Sequence, residues 1–259
     1  MNHIIELKHI SYSYENTKVF HGNSLILSIP QKQKNKLYGI IGPSGTGKTT
    51  LLSILGGQLN PQQGDVCIDT INIYKVGDKK RRKMIAVQMQ TATALRGALR
   101  QNLVFGILDD TVLSDEEYLI TTLKKVGLWS IFESKEGLDT LIGEGGLNLS
   151  GGQRQRLNFA GLYLRAKHYK PSLILIDEPT SSLDEISEKA ITQMIDELSI
   201  QSVTFVVAHR LKTLDKAVGV LDTSLIQDNK ELIFYSKTEL LQASQYYKDL
   251  QEGKAELEE

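Results

Sequence analysis

The chain has 259 residues, 41% hydrophobic and 24% charged, and its 30 Lys and Arg against 31 Asp and Glu leave a formal charge of -1. That length is enough to bury a core and allows one large domain or two small ones, five prolines exclude a low-complexity chain, and the balanced charge gives no general attraction to nucleic acid or anionic lipid. The single cysteine, Cys67, excludes an intramolecular disulfide, argues against a zinc site and fits a reducing compartment.

Residues 4–14 read as a β-strand, with a turn at Glu15-Asn16-Thr17 and a second strand around 25–29. Residues 30–36 are polar and loop-like. A short apolar run at 37–41 stops at a glycine-rich turn, and 49–55 carries helical spacing that Gly56-Gly57 ends. From about 91 to 165 the pattern is mostly helical, punctuated by Gly106, Gly127, Gly137 and Gly143 to Gly146, which predicts an inserted helical subdomain. The β signal returns at 172–176. Ile186, Ala190, Ile191, Met194, Ile195 and Leu198 then predict one packing face of a helix. Residues 203–208 read as a buried strand, 221–235 as antiparallel β turning at Asp228-Asn229-Lys230, and 238–250 as a closing helix. Strands and helices in alternation predict an α/β fold with a partly parallel sheet, an antiparallel β portion and the inserted helical part.

No segment reaches the roughly 18–20 apolar residues of a membrane helix, so the chain is not expected to cross a membrane by itself. Residues 1–8 lack the layout of a secretory signal.

The residues that carry chemistry begin at Gly42-Pro43-Ser44-Gly45-Thr46-Gly47-Lys48-Thr49, which fits G-x-x-x-x-G-K-[ST] without a mismatch and leads into Thr50. Backbone N–H groups of such a loop turn inward on phosphate oxygens, and the helix that follows adds its positive end. Lys48 is placed for β- and γ-phosphates, and Thr49 for magnesium (Mg2+). A second motif, Leu173-Ile-Leu-Ile-Asp177-Glu178, is an apolar strand ending in two acids, where nucleotides bind in parallel sheets. Asp177 suits Mg2+, through water, since that ion prefers oxygen ligands. Glu178 is the candidate to orient or deprotonate an attacking water. A third motif, Leu149-Ser150-Gly151-Gly152-Gln153, starts a helix and offers a second anion site through Ser150 and the N–H groups of Gly151 and Gly152.

With this last motif between the other two, the chain resembles the nucleotide-binding subunit of an ABC transporter from about residue 6 to 250. The resemblance implies an ABC ATPase domain over 4–252, with a P-loop core at about 4–90 and 166–236, a helical subdomain at 91–165, a C-terminal helix at 238–250 and a charged tail at 253–259. It implies ATP and Mg2+ as ligands. In the family, the surface at Ser150 to Gln153 contacts the γ-phosphate of ATP held by the opposite subunit. Gln90 resembles the glutamine that joins the metal site to the helical subdomain; Gln88 competes, but the family's ten-residue spacing to an arginine, here Arg100, favours Gln90. Asp184, in Ser182-Leu183-Asp184, resembles the loop that crosses between subunits. His209 resembles the histidine that contacts the γ-phosphate, and Tyr14 the aromatic that stacks on adenine. Residues 140–146 and Arg100-Gln101-Asn102 are similar to exporter-type members.

Departures from the family pattern are a longer Lys- and Gln-rich turn between 30 and 42, Gln88-Met89 in place of an aliphatic-proline pair, Gly161 where an arginine is common, and added length at 165–171. The basic run at 79–83 lacks interleaved aromatics and reads as a solvated segment before a strand. Cys67 reads as a small buried strand residue, and Trp129 as either core or a docking aromatic.

The resemblance implies an ATP-hydrolysing subunit that closes head to tail with a copy or close relative and so moves integral membrane transporter subunits. Its position would be the cytosolic face of the membrane, with the spanning helices on another polypeptide and no nucleic acid partner. The alternatives are a non-transport ABC ATPase and a regulatory ATP-binding module with little turnover.

Overall fold

The computed structural model describes residues 3–14, 17–33, 35–91, 93–226 and 231–254. In chain order the strands and helices are β1 (His3–Tyr14), β2 (Thr17–Pro30), β3 (Leu37–Ile41), α1 (Lys48–Leu55), β4 (Gln63–Ile68), β5 (Ile71–Asn72), α2 (Asp78–Met84), β6 (Ile85–Gln88), β7 (Gly97–Ala98) and α3 (Leu99–Leu103). There follow α4 (Asp110–Ser114), α5 (Glu116–Lys125), α6 (Trp129–Phe132), β8 (Leu141–Ile142), α7 (Gly151–Tyr169), β9 (Leu173–Asp177) and α8 (Glu185–Ser199). The chain ends through β10 (Val203–Val207), β11 (Gly219–Asp222), α9 (Lys237–Ala243) and α10 (Gln245–Gln251).

The central sheet runs β11-β3-β10-β9-β6 and every pairing in it is parallel. A second, antiparallel sheet runs β2-β1-β4-β5, and β7 and β8 form a short ribbon. Successive residues of a strand point to opposite faces, so each central strand feeds two cores. Leu173 and Leu175 of β9, with Val203, Phe205 and Val207 of β10, pack against α1 and the antiparallel sheet. Ile174, Ile176 and Val206 pack on the opposite side with α7, α8 and the helices of residues 99–132. Both faces are covered, which is why these strands read as continuous apolar runs.

Several expectations change. The segment 221–235 is not an antiparallel hairpin: β11 joins the central sheet parallel to β3, and the returning chain meets it antiparallel only at the Val220–Tyr235 bridge. The proposed turn at Asp228-Asn229-Lys230, like Glu15-Asn16, lies outside the described residues. The closing helix is two helices, because Ser244 leaves helical geometry and its hydroxyl accepts the N–H of Tyr247 to start α10. Ile186 is 85% exposed, whereas Ile191, Met194, Ile195 and Leu198 are buried. Five residues at about 100° each put Ile186 well away from the direction of Ile191. The basic run lies within α2, which is solvent-facing apart from partly covered Arg81 and Met84.

Trp129 is half-buried against the helical core, and Cys67 is only partly covered in β4. Gly161 is explained by packing: α7 crosses α3 so closely that a Cβ there would sit 3.3 Å from the Leu103 carbonyl oxygen. Gly161→Arg is therefore expected to force the helices apart and cost about 2–3 kcal/mol, read as a melting midpoint lower by roughly 5–10 °C. Among the described residues no helix is long and apolar enough to cross a membrane.

Candidate active site

The loop between β3 and α1 lies at the carboxyl end of the parallel sheet. Gly42, at φ 144°, has the Thr223 hydroxyl where a Cβ would project, 2.0 Å from the ideal position, so the site demands glycine for both conformation and space. The Thr46 and Thr223 hydroxyls lie 2.6 Å apart, and they also reach the carbonyls of Pro43 at 2.8 Å and Ile41 at 3.1 Å. Thr223 follows β11 directly, so the loop rests on an edge strand about 180 residues further along the chain. Asp222, fully buried, accepts from Ser224 N at 2.8 Å and from the Ser244 hydroxyl, which ties α10 to the same floor.

Lys48 is buried and its Nζ donates to the carbonyls of Gly42 at 2.7 Å and Pro43 at 2.9 Å. Burial pulls its pKa down, against the opposing charges of Glu178, Asp177 and Asp222. Gly47, in left-handed geometry, caps α1 without a side-chain bond, so the first N–H groups of that helix have no intrahelical acceptor and aim toward the loop.

Asp177 ends β9 almost wholly buried. Its Oδ2 accepts from the Thr49 hydroxyl at 2.9 Å, while Oδ1 has no hydrogen-bond partner. Burial pushes its carboxyl up to about 6, the Thr49 bond and the charges of Lys48 and His209 working against that and Glu178 adding to it. A carboxyl that rises from an ordinary 3.8 to about 6 on folding takes up protons in the native state first. Its ionisation therefore destabilises the fold as pH rises from about 4 through 6, by about 3 kcal/mol once complete. Asp177→Asn should gain that amount relative to the parent between pH 4 and pH 7.5 in denaturant melts, and an unchanged difference between the two proteins would contradict it.

Glu178 is the next residue, at φ 47° in the left-handed region. Its Oε1 is 2.6 Å from His209 Nε2 and its Oε2 accepts from Gln90 Nε2 at 2.9 Å. Burial would raise its pKa, but the bond and charge of His209, the charge of Lys48 and the Gln90 bond outweigh it and hold the carboxyl below the usual range. β9 supplies Asp177 and Glu178, the end of β10 supplies His209, and Gln90 follows β6. Three parallel strands thus deliver their carboxyl ends to one place. Gln88 instead points into the core as part of β6, so Gln90 is the glutamine at the site.

Glu178, His209 and Gln90 line a cleft of about 630 Å³ that also exposes Ser44, Gly45, Gly47, Lys48, Thr49 and Thr50; Asp177 is not part of its lining and meets it through the Thr49 hydroxyl. Tyr14 stands at its rim, 45% exposed, edge-on to Tyr12 and 3.4 Å from the Thr50 hydroxyl. Thr180, Ser181 and Arg210 line the cleft too and were missed; Arg210 adjoins His209, and Thr180 and Ser181 lie between Glu178 and Ser182. Thr46 and Gly42 shape the loop from beneath.

Ser150, Gly151, Gly152, Gln153 and Asp184 are not in this cleft. Ser150 and Gln153 form a reciprocal cap on α7, with Gln153 N to Ser150 Oγ at 3.2 Å and Ser150 N to Gln153 Oε1 at 2.9 Å. Asp184 caps α8, accepting from the N–H of Ser187 at 3.0 Å and its hydroxyl at 2.9 Å.

The fold and this cleft define a P-loop domain of the nucleotide-hydrolysing α/β class. The model of the ABC transporter family matches residues 28–181, more than half the chain. The chain belongs to the ABC transporter family. It is 38% identical over 82% of its length to the uncharacterized ABC transporter ATP-binding protein YwjA of Bacillus subtilis (strain 168), covering 35% of that protein. It is 32% identical over 88% of its length to an ATP-dependent lipid A-core flippase of Haemophilus influenzae (strain 86-028NP), covering 37% of it. Its fold matches that of a bacterial Atm1-family ABC exporter with ATP bound, with a TM-score of 0.81 at 24% identity, over 98% of this chain and 42% of the other. The chain thus spans a little over a third of the length of these curated relatives.

Proposed function

We propose that the chain binds ATP with Mg2+ in the cleft, hydrolyses it, and powers transport of the exporter type. The observation that carries this reading is the Glu178 carboxylate, kept ionised between His209 and Gln90 on the wall facing the phosphate loop. Lys48 trades its two loop carbonyls for phosphate oxygens, and the N–H groups of Gly45, Gly47, Lys48, Thr49 and Thr50 hold the anion. Tyr14 stacks on the base. Glu178 takes the proton of the attacking water, and His209 orients the carboxylate and the terminal phosphate.

The donor set fits a hard cation: the Thr49 hydroxyl, the unpartnered Asp177 Oδ1 and the Gln90 amide oxygen are all oxygen groups. Bound there, Mg2+ would offset phosphate charge. Asp177, buried in its neutral form below about pH 6, has to ionise to hold it.

Ser150 to Gln153 and Asp184 lie outside the chain's own cleft, which suits a site completed by a second copy or a relative. In that arrangement the start of α7 meets the terminal phosphate held by the partner, and Asp184 crosses beside it. Closure moves membrane-spanning partners on the cytosolic side through a groove near Gln90 and the helical part at 91–165, which is inserted in the core at 4–90 and 166–236. The test is phosphate release from Mg2+-ATP at rising protein concentration, with pull-down from solubilised membranes. Release that stays at background at every concentration sinks the ATPase reading; hydrolysis with no membrane protein recovered sinks the transport part alone.

A further inference from the structure

Glu178, which reaches Gln90 and His209, has a left-handed backbone, a conformation that costs a non-glycine residue free energy and persists where neighbours over-determine it. Both flanking peptide groups are held. The Glu178 N–H donates to the Val207 carbonyl at 3.0 Å, which fixes it to β10. Its carbonyl accepts from Gln155 Nε2 at 2.7 Å.

Gln155 is a glutamine of α7, 5% exposed, whose role none of the site motifs supplies. The same amide nitrogen lies 3.2 Å from the Ser181 hydroxyl, and its oxygen accepts from the Ser182 N–H at 3.3 Å. All the amide's bonds go to the turn of residues 178–182. The side chain comes from the helix that begins at Ser150, one and a half turns earlier, and not from the sheet that carries the acid.

We propose that Gln155 is a positioning residue for hydrolysis: it holds the backbone of Glu178 in the geometry that aims its carboxylate at the attacking water. This rests on the ATPase reading above. Gln155 does not line the cleft, so its loss should spare binding and slow the chemical step. A misplacement of the base by about an ångström is enough to lower turnover on the order of 10²-fold.

Gln155→Met keeps the volume and removes every bond of the amide; Gln155→Glu keeps the oxygen that faces Ser182 and removes the amide that faces Glu178. In the full chain both are expected to lower kcat by roughly 10–100-fold while KM for ATP and the affinity for ADP stay within about threefold. Combined with Glu178→Gln, either change should lower the residual single-turnover rate by less than about threefold, because the group it positions is already gone. A kcat within threefold of the parent in both variants would overturn the proposal. So would an undiminished extra loss in the Glu178→Gln background, or nucleotide affinity falling in step with kcat, each of which marks a general structural role. A parent protein with no hydrolysis at any concentration overturns the ATPase reading itself, which the parent assay alone reveals.

Discussion

Glu178→Gln should lower ATP turnover by roughly 10²–10⁴-fold while ATP binding persists, the range associated with removing a positioned general base. The substitution is close to isosteric, and His209 and Gln90 remain beside it at hydrogen-bond distance. What disappears is the charge and the proton-accepting power. If two copies close on ATP, the variant should also accumulate as a dimer, because the step that reopens it has stopped. Steady-state phosphate release together with size-exclusion chromatography in ATP checks both parts. Unchanged turnover would remove Glu178 from the role assigned to it.

Lys48→Ala should act one step earlier, on binding. The ammonium is the cation nearest the loop carbonyls of Gly42 and Pro43, and hydrogen bonds from a charged donor are each worth about 1.5–3 kcal/mol, so ATP affinity is expected to fall roughly 10- to 100-fold. Its charge also depresses the carboxyls of Glu178 and Asp177, and both should rise when it is lost. Lower affinity and a shift of the pH–activity profile to higher pH would accompany each other in titrations of binding and turnover. Parent-like affinity would contradict the phosphate-loop role of Lys48.

The sequence exposed the parts of this site whose geometry is local. A phosphate loop is a contiguous stretch whose glycines and lysine act on their own neighbourhood, and Asp177-Glu178 sits at the end of an unbroken apolar run, so both were legible without knowing what lay alongside. Gln90 was separated from Gln88 only by its distance to Arg100; the structure separates them by strand geometry, one side chain in the core and the other at the cleft. Contacts between remote segments left no periodic trace. Thr46 and Thr223, Gln155 and Glu178, and Asp222 and Ser244 are brought together by crossovers and helix packing. Residues 221–235 misled for a related reason: apolar residues flanking a turn look alike whether the first strand pairs with the second or with a parallel strand elsewhere. Ile186 was grouped with its apolar neighbours although its angle on the helix puts it in solvent.

The floor beneath the phosphate loop is built from the far end of the chain. Thr223 supports Thr46, Asp222 holds Ser244, and Ser244 starts α10, so the last two helices are joined by side-chain bonds to the nucleotide end of the sheet. For anyone shortening or fusing this domain, α9 and α10 are therefore part of the working unit and not a removable tail: a cut or a rigid tag belongs after Gln251, and a sensor inserted between α9 and α10 would report on the phosphate loop from a segment remote from it in sequence.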